Sequence, residues 1–261
     1  MGESVIEFYN KLAEDYHLIF QDWTKAISRQ GEALNSLIRS KLVDPQQAAT
    51  LLDCSCGIGT QAIGLAKHGF TVTATDISPA AVDRAKLEAA TFGVDIHFGV
   101  ADFRSLDKDV SGVFDVVLSA DNAVPHLLTD EDLLAAARNW YAKLNTNGIL
   151  LITMRDYDAL VKEQQRATVP QVLDGGKRIV FQVWDWAKDA VTYTTNQFIL
   201  RKLDGEWVTK QYRTTYRALL REELSRILST AGFMDIEWHM PEQSGFYQPI
   251  VTARTSKLLQ L

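Results

Sequence analysis

The chain has 261 residues, 46% of them hydrophobic, which is enough to bury one large core or a core with a smaller subdomain. Its 27 Lys and Arg residues form no basic block and are outnumbered by 33 Asp and Glu residues, so a nucleic-acid partner is disfavoured. No run approaches the roughly 18 to 20 apolar residues of a membrane span, and the acidic N-terminus lacks a signal-peptide core. We expect a cytoplasmic protein without a membrane partner; a homo-oligomer is left open.

The N-terminal region, residues 1–45, precedes the first predicted strand. It carries Tyr16, Trp23 and Arg29, more aromatic and cationic side chains than an ordinary surface helix needs. We interpret this region as a helical cap or lid that closes over a site.

The segment Thr50–Asp76 is the most informative part of the chain. A short apolar run ends at Asp53, a turn of small residues follows, and residues 60–68 have a helical pattern that ends at Gly69. A β-branched run over residues 71–75 is closed by Asp76. The segment therefore predicts a βαβ unit of the kind that binds the ribose-bearing part of a nucleotide.

Two cysteines, Cys54 and Cys56, lie within this turn. A disulfide between residues two apart would be strained, and a metal would lack two further ligands. We expect buried packing residues and no metal site.

The turn has the pattern Asp53-x-Ser55-x-Gly57-x-Gly59, which differs from the GxGxxG pattern that seats a pyrophosphate on a helix N-terminus. It resembles the first motif of class I S-adenosylmethionine-dependent methyltransferases. The resemblance implies S-adenosylmethionine as cofactor and S-adenosylhomocysteine as product. It also implies that Asp76 accepts hydrogen bonds from both ribose hydroxyls, beside Ile77.

Further strands and helices alternate along the chain. Helices are predicted over residues 79–91, with Ser78 as N-cap, and over residues 130–144, ended by Asn147-Gly148. Strands are predicted over residues 95–98, 114–118 and 149–154. This order predicts a Rossmann-like, doubly wound, mostly parallel sheet of seven strands in an α/β fold.

The pattern changes after Asp156. Residues 178–186, 190–201 and 206–217 are typical of strands in an antiparallel meander, before a helix over 221–231 and strands near 233–240 and 249–255. We therefore expect an antiparallel β insertion after strand five, forming a subdomain (166–217) over the active site. The Rossmann-like core would comprise 46–165 and 218–261.

Ligands of open parallel sheets bind beyond the carboxyl ends of the strands, and polar residues follow each predicted end. After strand three, Asp102 is placed to accept the adenine amino group and Phe103 to pack on the ring. The remaining candidates at the ends of strands four and five are Ala120, Asn122, His126 and Arg155.

The segments ADNAVPHL (120–127) and MRDYDAL (154–160) look like those of glycine and sarcosine N-methyltransferases. The resemblance implies that Asn122, Arg155 and Trp23 position the methyl acceptor, while Tyr16, Arg29, Ala120 and His126 contact the cofactor. The chain departs from the family at Asp121, where the family typically has Gly. It also has Phe181, Val183 and Trp184 where the family has tyrosines.

Tyr216, at the end of a predicted strand, and Tyr247, in the turn 244–249, are the best further candidates for acceptor contact. The resemblance implies in-line transfer of a methyl group to a small molecule, such as the amine of glycine or sarcosine, without an obligate base. Two alternatives stay open: another small amine, carboxylate or hydroxyl acceptor, and a cofactor-binding protein without transfer activity. The acceptor, the number of methyl groups transferred and the pathway do not follow from the sequence.

Overall fold

The computed structural model describes residues 4–255, whose strands form two sheets. In chain order the strands are β1 (Thr50–Asp53), β2 (Thr71–Asp76), β3 (His97–Val100), β4 (Phe114–Ser119), β5 (Leu144–Thr153), β6 (Gln171–Leu173), β7 (Arg178–Trp186), β8 (Thr192–Leu203), β9 (Glu206–Arg217), β10 (Phe233–His239) and β11 (Ile250–Thr255).

The larger sheet has seven strands in the order β10-β11-β5-β4-β1-β2-β3. Only the pairs that involve β11 are antiparallel, and the other four pairs are parallel. The predicted α/β fold with a mostly parallel, seven-stranded sheet is confirmed. The strand order reverses at β1 and β4, where side chains from both halves of the sheet meet.

Helices cover both faces of this sheet. In chain order they are α1 (Val5–Leu12), α2 (Trp23–Lys41), α3 (Thr60–Lys67), α4 (Pro79–Phe92), α5 (Leu106–Asp109), α6 (Asp130–Ala142), α7 (Tyr157–Glu163), α8 (Arg221–Thr230) and α9 (Pro241–Ser244). Short 3₁₀ turns occur at Tyr16–Ile19, Val124–His126 and Asp174–Gly176. One buried cluster joins the sheet to α6 and α8, and another joins it to α2 and α3.

Local signals set several of these boundaries. The Ser78 hydroxyl accepts from the Ala81 N–H at 3.1 Å and Pro79 follows, so the predicted N-cap of α4 is confirmed. Gly93 ends the helix in the left-handed conformation, with φ of 65°.

The predicted boundary near Asn147 is wrong. Helix α6 already ends at Ala142, and β5 begins at Leu144, so Asn147 lies inside the strand with φ of 59°. The pairing of β4 with β5 shifts register between Phe114 and Val116, which accommodates the turn-like residues as a bulge. Strands β3 and β8 each lie two residues further along the chain than predicted.

The smaller sheet is antiparallel, with the order β6-β7-β8-β9. Its aromatic residues Trp184, Tyr193 and Tyr216 belong to the same buried cluster as the strands of the larger sheet. This packing directs one end of the meander at the carboxyl ends of the parallel strands.

Some features are absent from residues 4–255. No helix in this range is long and apolar enough to cross a membrane, and no group of His, Cys, Asp and Glu could hold a metal ion. Both cysteines are free and buried, and burial raises the pKa of each thiol.

Two glycines set the distance between α2 and α3. A Cβ on Gly31 would lie 2.8 Å from the Gly64 Cα, and one on Gly64 would lie 2.8 Å from the Ile27 carbonyl oxygen. Backbone atoms cannot rotate away as a side chain would, so the helices can approach this closely only without these Cβ atoms.

We predict that Gly31→Ala destabilises the protein. Ala gains about 1 kcal/mol in helix propensity, but overpacking costs about 1–3 kcal/mol and here meets backbone. Urea unfolding should show a net loss, whereas Ser36→Ala, at an exposed position of α2, should show none. A Gly31→Ala protein as stable as the wild type would contradict this account of the packing.

Candidate active site

A cleft lies at the carboxyl ends of the parallel strands and encloses about 820 Å³ of space, part of it open to solvent. Its floor is the turn after β1 together with the ends of β2, β3 and β4. Val5 and Tyr9 of α1 and Tyr16 of the following 3₁₀ turn line its other side. The N-terminal segment therefore covers the cleft.

Gly57 and Gly59 shape the turn after β1. Both adopt the left-handed conformation, with φ of 52° and 94°, which a residue with a Cβ rarely adopts. No atom lies within 4 Å of the position that a Cβ on Gly57 would take, so the backbone faces open space there. The Gly59 carbonyl accepts from the Ile63 N–H at 2.9 Å and starts α3.

Asp76 ends β2 and lies in the cleft wall. Its two carboxylate oxygens accept from the Gly57 N–H at 2.8 Å and from the Ser78 N–H at 2.9 Å. Burial raises the pKa of this carboxyl, and the two N–H groups oppose the rise. One carboxylate thus joins the glycine turn to the start of α4.

Asp53 is fully buried beneath the turn and does not line the cleft. Its Oδ1 accepts from the Ser55 N–H at 3.3 Å, and its Oδ2 has no hydrogen-bond partner among the described residues. Burial raises its pKa to about 7; the Ser55 N–H opposes this and Asp76 adds to it.

The structure brings together nine of the residues predicted to bind a cofactor. Those lining the cleft are Tyr16, Ser55, Gly57, Asp76, Ile77, Asp102, Phe103, Ala120 and His126.

After β3, Asp102 is engaged by a neighbouring cation. The Arg104 guanidinium donates to both Asp102 oxygens, at 3.1 Å, 3.0 Å and 2.6 Å. Burial on its own would raise the pKa of the Asp102 carboxyl. The hydrogen bonds and the charge of Arg104 outweigh burial, so this pKa lies below its usual value. The Phe103 ring packs edge-on against Trp140, with centroids 5.8 Å apart.

The turn after β4 is strained. Asp121 and Asn122 are both left-handed, with φ of 59° and 69°. The end of β5 holds them, because the Asp121 N–H donates to the Thr153 hydroxyl at 2.8 Å and the Asn122 N–H to the Thr153 carbonyl at 3.1 Å. The Asn122 Oδ1 accepts from the Arg155 N–H and the Tyr157 hydroxyl, while its buried Nδ2 has no partner among residues 4–255.

Arg155 follows β5 and lines a second cavity with Gln182, Trp184 and Tyr247. Its guanidinium donates to the Tyr193 hydroxyl at 2.8 Å and to the Gln182 Oε1 at 2.9 Å, and lies over the Trp184 ring at 5.0 Å. Its described partners are therefore neutral.

Asp156 and Asp158, the acids nearest to Arg155 in sequence, do not orient it. Both carboxylates pair with Arg221, at 2.9 Å and 3.3 Å, at the start of α8. The acids adjacent in sequence serve the packing of α7 on α8, and residues of the meander hold Arg155.

Aromatic residues connect the two cavities. The Tyr9 hydroxyl lies 2.9 Å from His126 Nε2, and the His126 ring lies 4.3 Å from that of Tyr216. Tyr216 stacks on Tyr193 at 5.6 Å. Burial, with a smaller effect of Arg155, lowers the pKa of His126 to about 3, so its imidazole is neutral at physiological pH.

Trp23 and Arg29 lie away from both cavities. The Trp23 indole donates to the Thr60 hydroxyl at 2.9 Å and packs on Phe92. Arg29 is exposed on α2, beside a surface groove that contains Asp22 and Asp174. Neither residue lines the cleft. Gly59 does not line it either and starts α3.

Sequence reasoning missed several residues at these cavities. Tyr9 is part of an amphipathic pattern with Phe8 and Leu12 that could have predicted α1. Gln182 lies on β7 and Tyr193 on β8. Only the pairing of these two strands brings both residues to Arg155.

The sheet order, the glycine turn and the acid after β2 define the class I S-adenosylmethionine-dependent methyltransferase fold, and the class predicted from the sequence is confirmed. Residues 51–148 match the family model described as a methyltransferase domain, so the chain carries such a domain. S-adenosylmethionine is the cofactor of this class.

Three known proteins are similar to this chain, two in sequence and one in fold. A glycine/sarcosine N-methyltransferase of Parasynechococcus marenigrum is 32% identical over 54% of this chain and 48% of its own length. A ubiquinone biosynthesis O-methyltransferase of Caulobacter vibrioides is 33% identical over 41% of each chain. The structure of CalS10, an amino pentose methyltransferase from Micromonospora echinaspora, superposes with a TM-score of 0.71 at 18% identity, over 97% of this chain and 99% of CalS10. The chain thus matches about half the length, or less, of these two curated relatives.

The cleft fits S-adenosylmethionine. The open space at Gly57 leaves room for a ligand to approach the turn, and the Asp76 carboxylate in the cleft wall is an acceptor that suits ribose hydroxyls. Ile77 and Phe103 offer apolar surface for the adenine, and Asp102 is an acceptor beside them.

We predict that Asp76→Ala weakens cofactor binding. Hydrogen bonds to a charged group are worth about 1.5–3 kcal/mol, so affinity should fall about tenfold to a hundredfold. Calorimetry with S-adenosylmethionine measures the loss, and Asp83→Ala, exposed on α4, is the control. Unchanged affinity in a folded Asp76→Ala protein would remove Asp76 from the site.

We also predict that Asp53 makes the ligand-free protein less stable as pH rises. The native carboxyl keeps its proton up to about pH 7, whereas the unfolded one loses it near pH 4. The native state therefore binds more protons in this window, and its free energy of unfolding falls as pH increases.

Urea unfolding at pH 5 and pH 8 tests this prediction. Asp53→Asn should reduce the difference in stability between the two pH values, because an amide does not titrate. Asp95→Asn, at an exposed position, should leave the difference unchanged. An Asp53→Asn protein with the pH dependence of the wild type would contradict the assignment.

Proposed function

We propose that the protein transfers the methyl group of S-adenosylmethionine to the amine of a small acceptor that also carries a carboxylate, such as glycine or sarcosine. The names of its relatives support an amine acceptor, since several are glycine/sarcosine N-methyltransferases, although the relative from Caulobacter is an O-methyltransferase.

The observation that carries the proposal is the half-buried guanidinium of Arg155. It lines the second cavity, and no Asp or Glu of residues 4–255 pairs with it. A buried charge normally has a counterion, since its desolvation is otherwise uncompensated. A planar guanidinium suits a carboxylate through two parallel hydrogen bonds, so an acceptor's carboxylate supplies what the site lacks.

The neighbouring groups suit the remainder of such an acceptor. The buried Asn122 Nδ2, which has no partner in the described part of the chain, is a donor beside Arg155. The cofactor supplies a methyl group on a sulfonium, an intrinsically good electrophile. Holding the acceptor in line with that group is then the main task of the protein, and positioning can supply about 7–11 kcal/mol.

In this proposal the first described helix and 3₁₀ turn, within the predicted cap, close over the cofactor. Tyr9 and Tyr16 line the cleft from above, and α1 also packs on β9 of the meander. The meander closes the acceptor side through Gln182, Tyr193 and Tyr216. Water would thereby be excluded from the reacting groups.

We predict that Arg155→Lys lowers the apparent affinity for glycine at least about tenfold, on the order of 1.4 kcal/mol, because Lys keeps the charge but loses the fork. Steady-state kinetics should show a higher KM for glycine, with affinity for S-adenosylhomocysteine near wild type. Ethanolamine, which replaces the carboxylate by a hydroxymethyl group, should be a poor acceptor of the wild type.

Arg217→Lys is the matched control, because Arg217 also lies in the interior but pairs with Asp130 and Glu223, away from both cavities. If ethanolamine were the better acceptor and Arg155→Lys had no effect, the carboxylate-bearing acceptor would be wrong. If no small amine or hydroxyl compound were methylated while S-adenosylmethionine still bound, the alternative of a binding protein without transfer activity would hold.

A further inference from the structure

Asp121 links the two cavities through its hydrogen bonds. It lines the cofactor cleft, and its oxygens accept from the hydroxyls of Tyr16, at 3.2 Å, and Tyr247. Tyr247 itself lines the second cavity. The carboxylate therefore faces the cofactor cleft and is bonded to a residue of the second cavity.

This carboxylate has neutral hydrogen-bonding partners. Within residues 4–255, no Lys, Arg or His forms an ion pair with Asp121. Arg155 influences it only over a longer distance, and is itself without a carboxylate partner in the same range. The acceptor region thus contains one anion and one cation that do not pair with each other.

The backbone does not require an Asp here. With φ of 59°, position 121 is left-handed, and Gly would adopt this conformation with less strain than any residue with a Cβ. An Asp at a position where Gly would be less strained indicates a use for its carboxylate.

We propose that Asp121 binds the ammonium group of the acceptor and takes a proton from it, and so selects an amine over a hydroxyl. The inference rests on the proposed function and names the residue that recognises the acceptor's amine, as Arg155 recognises its carboxylate.

The proposed reaction moves one proton and one methyl group. The ammonium gives one proton to the Asp121 carboxylate and becomes a neutral amine with a free electron pair. The amine nitrogen forms a bond to the methyl carbon as the bond from that carbon to sulfur breaks, and the electron pair of the broken bond stays on sulfur. The methylated ammonium leaves, and the proton on Asp121 passes to solvent.

The groups around Asp121 favour it as the proton acceptor. Those that face it are Tyr16 from the N-terminal segment, Tyr247 from the loop before β11, and, further away, Arg155 and Tyr216. The low pKa of His126, due chiefly to burial, makes the imidazole a poor base. Burial raises the pKa of Asp121, and the hydrogen bonds from Tyr247 and Tyr16 oppose the rise. A carboxyl of raised pKa is a better base than an exposed one, and its activity is lost as pH falls through that pKa.

The test compares two ligands and two proteins. Glycine and glycolate differ only in an ammonium against a hydroxyl, and Asp121→Asn removes the charge with little change of shape. Calorimetry with S-adenosylhomocysteine present should show that the wild type prefers glycine, and that Asp121→Asn weakens glycine binding about tenfold to a hundredfold. Glycolate binding should change little. The fall of kcat/KM at acid pH should also disappear in the variant.

Asp121→Gly is a second variant, expected to fold at least as stably as the wild type and to lose the same preference. Asp204→Gly is the matched control, since Asp204 is left-handed with φ of 50° in the exposed turn between β8 and β9. It should change neither ligand's binding.

Two results would overturn the inference and leave the proposed function intact. One is glycine methylation by Asp121→Asn at the wild-type rate and KM. The other is a loss confined to cofactor affinity, which would mean that Asp121 faces the sulfonium. Failure of the wild type to bind glycine more tightly than glycolate would also overturn it. Absence of methyl transfer by the wild type, with the glycine preference intact, would contradict the proposed function and the proton transfer but not the binding of the ammonium by Asp121.

Discussion

The hydrogen bond from the Gly57 N–H to Asp76 holds the cofactor cleft together. It spans 2.8 Å and joins the turn after β1 to the end of β2, while the second Asp76 oxygen holds the start of α4. The left-handed glycines let the turn bend far enough for this contact. Because the carboxylate is nearly buried, its charge depends on these N–H groups and on whatever a ligand adds.

The same sheet geometry explains why the acceptor groups lie beside the cleft. Strands β1, β4 and β5 are adjacent and parallel, so the residues that follow β4 and β5 leave the sheet at the same edge as the glycine turn. Thr153 bonds to the backbone of both Asp121 and Asn122 and fixes their turn against β5. The N-terminal segment and the meander then cover this edge, which lowers the local dielectric and strengthens each charge there.

The sequence predicted those parts that depend on local chemistry. The βαβ unit, the Ser78 N-cap and the polar strand ends follow from turn residues and strand alternation, which act over a few positions. The start of β5 was missed because Asn147 and Gly148 are typical of a helix stop, while pairing with β4 keeps them in a bulged strand. The partners of Arg155 were missed because they are 27 and 38 residues away, and only the tertiary fold brings them near.

The fold keeps Asp121 and Arg155 apart. Two opposite charges that are partly buried would be stabilised by pairing, and a flexible turn would allow the ion pair to form. Here the left-handed turn and two tyrosine hydroxyls hold Asp121, while Tyr193 and Gln182 hold Arg155. The protein therefore supplies no opposite charge in direct contact with either group. A ligand with an ammonium and a carboxylate would pair with Asp121 and Arg155 together, whereas a ligand with a single charge would pair with only one of them.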